Sequence, residues 1–133
     1  MNTVKFPYGK DCLSYDFSSE SFLGTLTSSL HDYTPSASPE ELVLCAMASP
    51  IGTKRLADLA IGKKKVVIIA SDHTRPVPSR IIIPPMLREI REGSPDADIT
   101  ILIATGCHRE TTHGELVAKF GEEIVNRDRK SVV

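Results

Sequence analysis

The sequence predicts an α/β fold: a Rossmann-like, mostly parallel sheet with flanking helices and an N-terminal β-hairpin. Two apolar runs carry this expectation, Val66-Val67-Ile68-Ile69-Ala70 and Ile99-Thr100-Ile101-Leu102-Ile103-Ala104, each bounded by polar turn signals. Between them, Ser79 to Glu92 places Ile83, Leu87 and Ile90 at helical spacing. Strand, helix, strand in that order requires a crossover and hence a parallel pair. Both runs read as strands buried on both faces, as parallel strands usually are.

At the start of the chain, Val4 to Tyr8 and Cys12 to Phe17 alternate roughly around Gly9-Lys10-Asp11, which predicts the hairpin. Ser18 to Pro35 is Ser/Thr-rich without a sustained period and reads mostly as loop. A helix should open at Ser38, which can cap, with Pro39 in the first helical position and Glu41 closing a capping box. Leu42, Cys45 and Met47 would form part of its apolar face before Pro50 stops it. Lys54 to Ile61 reads as a second short helix ended by Gly62.

Lys63-Lys64-Lys65 reads first as solvated charge at a strand start and second as a phosphate contact. In the helix that follows, Pro84-Pro85 is awkward, because an interior proline loses a hydrogen bond and crowds the preceding turn. Either that helix is kinked or its regular part begins near Pro84. Thr112-His113-Gly114-Glu115 is another capping-box pattern, opening a helix through Leu116, Val117 and Phe120 to Gly121, with Glu122 to Asn126 as a continuation. Ser131-Val132-Val133 looks like the start of another strand. The 133 residues are sized for one domain, with the hairpin, loop and first helix in 1–50 and the α/β core in 51–133.

Composition narrows the function. A net charge of −1 gives no electrostatic case for nucleic acid or an anionic membrane, and the lack of Trp argues against a base-stacking platform. Three widely spaced cysteines, Cys12, Cys45 and Cys107, build neither a disulfide framework nor a four-ligand zinc site. No apolar run approaches the ~20 residues needed to span a bilayer, and no signal peptide is visible. The expectation is a cytoplasmic protein in a reducing setting.

Chemistry concentrates in the two loops that follow the strands. Ser71-Asp72-His73-Thr74-Arg75-Pro76-Val77-Pro78 puts a carboxylate one residue past a strand end and adds a guanidinium fork suited to carboxylate or phosphate. Its bland alternative is an Asp72–Arg75 ion pair that braces the loop. Thr105-Gly106-Cys107-His108-Arg109-Glu110-Thr111-Thr112 offers a tight turn and then His108, a general acid or base near neutral pH. The helix opened at Thr111 or Thr112 would direct unpaired N–H groups at the crevice, and Arg109 reads as solvated. In an open α/β sheet, two loops on neighbouring strand ends face one crevice, where ligands bind. A Cys107 nucleophile has no supporting signature. A metal site from His73, His108, His113 and Asp72 lacks the HExxH arrangement, and His31 lies elsewhere.

Together these loops resemble a known family. Asp72-His73-Thr74-Arg75-Pro76-Val77-Pro78, followed by Ala104-Thr105-Gly106-Cys107-His108-Arg109 with Thr111-Thr112, is similar to the N-terminal domain of the LarA-type lactate racemases. Pro50-Ile51-Gly52 and the stretch from Glu115 to Val125 support it, and the likeness is clearest from about residue 51 to 126. The resemblance implies a racemase or epimerase of lactate or related 2-hydroxy acids that uses a nickel-pincer nucleotide and works by proton-coupled hydride transfer. It implies that His108 is the acid/base at the hydroxyl and that Arg75 holds the substrate carboxylate or polarises the reacting group. Asp72 would orient the site and touch cofactor or substrate, with Thr105 and Gly106 beside the cofactor. No metal ligand is assigned in this chain. Family members are roughly three times longer, and their tethering lysine, nickel-ligating histidine and second acid/base histidine fall outside this sequence. Cys107 also stands where an apolar residue is common. The expectation is therefore an N-terminal part, truncated or separately encoded, that needs the C-terminal domain in cis or trans and racemises nothing alone. The competing expectation is a non-catalytic fragment that binds an anionic ligand or a partner chain.

Overall fold

A computed structural model describes residues 1–127. The strand start expected at Ser131 lies outside the described residues. The chain parts into two compact units, residues 1–35 and the residues from Ser36 onward.

The first unit is the expected hairpin. β1 (Asn2–Tyr8) and β2 (Asp11–Phe17) pair antiparallel from Asn2↔Phe17 to Tyr8↔Asp11. The connection is two residues long, with Gly9 at φ 62°, as a II′ turn asks of its first central residue. Phe17 gathers the rings of Phe6, Tyr15 and Phe22, with centroids 6.5, 4.9 and 6.0 Å away. The remainder of this unit is loop apart from one 3₁₀ turn, Ser29–Asp32.

The second unit opens with α1 (Pro39–Ala48), where the Ser38–Glu41 capping box forms as the sequence indicates. Its apolar face differs from the expected one. Leu42 and Cys45 are exposed, and the half-buried pair is Val43 and Met47, one helical turn apart. The helix meets the fold along a narrow stripe, so only an i, i+4 pair is covered.

α2 (Leu56–Ala60) is too short to sustain itself, and Arg55 at its start supplies no side-chain cap. The cap comes from the neighbouring helix α3 (Ser79–Gly93). Glu89 accepts the Ala57 N–H at 3.2 Å and the Arg55 guanidinium at 2.7 Å. These bonds, that from Arg55 foremost, hold the Glu89 carboxyl below its ordinary range. α3 begins at Ser79, ahead of both prolines, which excludes a start near Pro84. Pro84 and Pro85 leave the Arg80 and Ile81 carbonyls without their usual donors, while burial of Ile83 and Ile90 keeps the segment helical.

β3 (Lys65–Ser71) and β4 (Asp98–Ala104) flank α3 and pair parallel, in register from Lys65↔Asp98 to Ser71↔Ala104. The β3–α3–β4 unit is thus the expected crossover. One face of this pair carries Ile68, Ala70, Ile99, Ile101 and Ile103. These pack with Ala60 of α2, Ile83 and Ile90 of α3, and Leu116 and Phe120 of α4 (His113–Phe120). Full burial of such a side chain stabilises by about 1.5–3 kcal/mol, so this cluster holds the unit together. α5 (Glu122–Arg127) follows after Gly121.

The expectation of strands buried on both faces is overturned. Helices cover only one face, and on the other Val67 is 58 % and Ile69 72 % exposed, with Leu102 beside them. Continuous apolar runs disguise this, because outward positions here are as apolar as inward ones. The Lys63–Lys65 run is exposed, as solvated charge would be.

Gly93 sits where α3 comes closest to α2, and a Cβ there would overlap the Ala57 carbonyl. Gly93→Ala should destabilise the chain by about 1–3 kcal/mol in urea unfolding. Gly114→Ala, in the open first turn of α4 with nothing within 4 Å, should be neutral or stabilising by up to about 1 kcal/mol. Equal effects from the two would contradict the close packing assigned to Gly93.

Candidate active site at the strand ends

Register positions the site. Because Ser71 and Ala104 pair side by side, the residues that follow them, Asp72 and Thr105, emerge level with each other at the strand C-termini. The two polar loops then enclose a crevice of about 350 Å³ lined by Ser71, Asp72, Arg75, Thr105, Gly106 and His108 among others. In the second loop, Gly106 takes φ 61°, and the His108 N–H closes a turn onto the Thr105 carbonyl at 3.0 Å. That turn brings His108 back over the first loop.

There it meets Asp72, which is only 2 % exposed. His108 Nδ1 lies 2.6 Å from Asp72 Oδ2. The other carboxylate oxygen, Oδ1, accepts the Thr74 hydroxyl at 2.7 Å and the Thr74 N–H at 3.2 Å. The Thr74 hydroxyl bond, with further help from His108 and the Thr74 backbone, outweighs burial and holds the Asp72 carboxyl down to about 2. Asp72 is therefore ionised at neutral pH. A carboxylate can only accept, so a neutral His108 places its proton on Nδ1 and leaves Nε2 as the free base. Nε2 has no partner among the described residues, and the side chain is 41 % exposed.

Arg75 lines the same crevice, and among the described residues its guanidinium has no carboxylate partner. The Asp72–Arg75 brace is not formed; only the Arg75 backbone N–H reaches the Asp72 carbonyl, at 3.4 Å. Thr105 and Gly106 line the crevice through the turn they build. Ser71 contributes a buried hydroxyl with no hydrogen-bond partner among the described residues, which suits a ligand bearing oxygen atoms.

Two expectations need adjustment. Arg109 is exposed, as solvated charge would be, but it does not stand free: it grips Glu115 through two bonds, 2.9 and 2.7 Å, and pushes that carboxyl well below its usual range. Nor does α4 turn free N–H groups into the crevice. Its first residues do not line the crevice, and Thr112 and Glu115 close a reciprocal capping box that satisfies two of the donors at its start. His73 belongs to the same bracing group, 3.5 Å from both Glu115 and Thr111. Among the described residues, no three His, Cys, Asp or Glu side chains converge as a metal-binding set. The three cysteines are free and exposed.

Thr74 and Ser71 were not singled out from the sequence. For Thr74 a signal existed: Asp followed two residues later by a hydroxyl-bearing residue is the pattern of a local side-chain turn. For Ser71 none did, since a strand-end serine is unremarkable until its burial is known.

The crevice thus gathers an oriented imidazole and a guanidinium without a carboxylate partner among the described residues at the C-terminal ends of two parallel strands, the place where open α/β sheets take their ligands. The chain belongs to the lactate racemase N-terminal domain family, which matches residues 8–132. It is 51 % identical over 129 residues to the lactate racemase of Thermoanaerobacterium thermosaccharolyticum and 47 % identical over 128 to that of Lactiplantibacillus plantarum. These alignments cover 97 % and 96 % of this chain but 30 % of each relative. The chain thus spans just under a third of the length of the curated relatives it matches. Among solved structures, the lactate racemase apoprotein of T. thermosaccharolyticum superimposes with a TM-score of 0.83 at 49 % identity, covering 99 % of this chain and 30 % of that one.

The depressed Asp72 carboxyl has a consequence for stability. Its contribution is complete above the ordinary carboxylate value of 3.8 and is lost as pH falls through about 2. Wild-type chain should therefore lose stability more steeply than Asp72→Asn as pH falls from about 4 to about 2, read as urea midpoints. Identical slopes would show that Asp72 is not held in its ionised form by the fold.

Proposed function

We propose that this chain is the N-terminal, substrate-handling part of a lactate or related 2-hydroxyacid racemase or epimerase. The observation that carries the proposal is the 2.6 Å contact between buried Asp72 and His108 beside Arg75, whose guanidinium has no carboxylate partner among the described residues. Arg75 would take the substrate carboxylate in its planar fork and so place the 2-hydroxyl toward His108. His108 Nε2 would accept the hydroxyl proton as the alcohol carbon is oxidised to a ketone, and return it when the ketone is reduced. Asp72 would hold the ring in one tautomer and steady the imidazolium during each proton transfer, as carboxylates do beside catalytic histidines. The Ser71 hydroxyl is available to a substrate oxygen.

The hydride acceptor this chemistry needs would be the nickel-pincer nucleotide implied by the resemblance. The crevice, with Asp72, Thr105 and Gly106 at its edge, leaves room for part of such a group. The described residues include no converging set to ligate nickel, so its metal ligands and tether are assigned to the remaining length of the relatives. The uncovered apolar sheet face supports the same partner. A parallel sheet normally has both faces covered, and Val67, Ile69 and Leu102 offer a surface for that remaining length to dock on, in cis or in trans. Racemisation also requires proton handling on both sides of the reacting carbon, and among the described residues the crevice offers one histidine, His108. The chain alone is proposed to be inactive. Among the described residues no helix is long and apolar enough to cross a membrane.

The test combines this chain with the remaining two-thirds of a lactate racemase relative loaded with cofactor, and follows loss of optical rotation from L-lactate. The combination should racemise, the chain alone should not, and His108→Ala should slow the combination by about 10²-fold or more. A His108→Ala rate equal to wild type would overturn the assignment of the base.

A further inference from the structure

The residues beside the crevice groups are gripped from one face of α4. His73 follows Asp72 in the first loop, and Arg109 follows His108 in the second. Both meet Glu115: Arg109 through bonds of 2.9 and 2.7 Å, His73 through Nε2 at 3.5 Å. One turn further along the helix, Lys119 Nζ donates to the Arg75 carbonyl at 2.9 Å. Glu115 and Lys119 stand four residues apart and so share a helix face. Between them they hold the chain next to Asp72, next to His108 and at Arg75 itself.

These contacts are not ordinary surface pairing. A glutamate four residues before a lysine is the arrangement in which the two bond each other on an exposed helix. Among the described residues Glu115 and Lys119 form no such pair, and both are committed to the loops instead. The first loop also has little backbone structure of its own. Pro76 and Pro78 carry no N–H, and the Arg75 N–H reaches the Asp72 carbonyl only at 3.4 Å. The Lys119 bond is therefore the firmest tie on the Arg75 backbone. The helix that supplies it is itself fixed. Leu116 and Phe120, each adjacent to a gripping residue, are buried in the core that also holds β3 and β4.

We propose that Glu115 and Lys119 are positioning residues that set the separation between His108 and Arg75, and with it the fit of the 2-hydroxy acid. Lys119 acts through Arg75 on the carboxylate end of the substrate. Glu115 acts through Arg109 and His73 on the reach of His108 to the hydroxyl. The proposal rests on the assignment of His108 as base and Arg75 as fork. Neither positioning side chain lines the crevice, whereas Arg75 and His108 both do. A displaced fork weakens substrate binding in ground and transition states alike, and a displaced base slows the chemical step. The two residues should therefore separate in kinetics.

The first arm of the test is NMR of the chain alone, without substrate or cofactor. Lys119→Met should shift the Arg75 amide and Nε–H and leave the contact between Thr74 and the His108 ring in place. Glu115→Gln, which keeps an acceptor for the Thr112 cap, should weaken the NOEs between the Thr74 methyl and the His108 ring. The second arm uses the chain combined with the remaining two-thirds of a lactate racemase relative loaded with cofactor. Lys119→Met should raise KM for lactate by about tenfold with kcat within about twofold. Lys119→Arg, which can still donate to the carbonyl, should recover most of that loss. Glu115→Gln should lower kcat by about tenfold with KM within about twofold. Unshifted loops in both variants, the same change of KM and kcat in both, or no recovery with Lys119→Arg would overturn the proposal. An inactive wild-type combination would count against the racemase reading, and the loop shifts would then decide the positioning roles by themselves.

Discussion

The hydrogen bond between Asp72 and His108 is the contact on which the site depends, and most of the second unit serves to form it. A carboxylate at 2 % exposure survives because three donors engage its two oxygens, the Thr74 hydroxyl, the Thr74 N–H and the His108 ring. The partners sit 36 residues apart in sequence. They meet because β3 and β4 end at paired positions and because Gly106 allows the second loop to turn back at once. A one-residue slip of register would remove Asp72 from reach of the ring.

Around this contact the charges are sorted by task. Arg109 and Glu115 neutralise each other and brace the second loop against α4, and Glu89 caps α2 while holding Arg55. These pairs are structural. Arg75 and Arg80 are left without carboxylate partners among the described residues, and both border cavities. A guanidinium at a cavity with its donors unspent is free to meet a ligand, whereas one that grips a neighbouring carboxylate is committed to the fold. His73 illustrates the second case within the same loop that carries Asp72.

Much of this was legible in the sequence, wherever local chemistry decides the outcome. The hairpin, both capping boxes and the strand–helix–strand order all follow from spacing within a few residues. Asp72, Arg75 and His108 were legible because polar groups at the ends of apolar runs mark a ligand crevice in this fold class. What stayed hidden depends on tertiary contact. Val67 and Ile69 are as apolar as Ile68, so composition could not show that one sheet face is uncovered. Leu42 and Cys45 fit an apolar helix face that the fold does not use, because Val43 and Met47 occupy the stripe that is half-buried. Arg109 gave no sign of its grip on Glu115 six residues later, a distance that spans a loop and a helix start. The prolines of α3 are tolerated for a reason outside that helix: the core it packs against.

The most direct test of this account is the tautomer of His108, read by long-range ¹H–¹⁵N NMR on the neutral imidazole. The account predicts a proton on Nδ1, hydrogen-bonded to Asp72, with Nε2 unprotonated, and loss of that pattern in Asp72→Asn. A proton on Nε2, or a spectrum unchanged by Asp72→Asn, would contradict the claim that Asp72 aims the histidine.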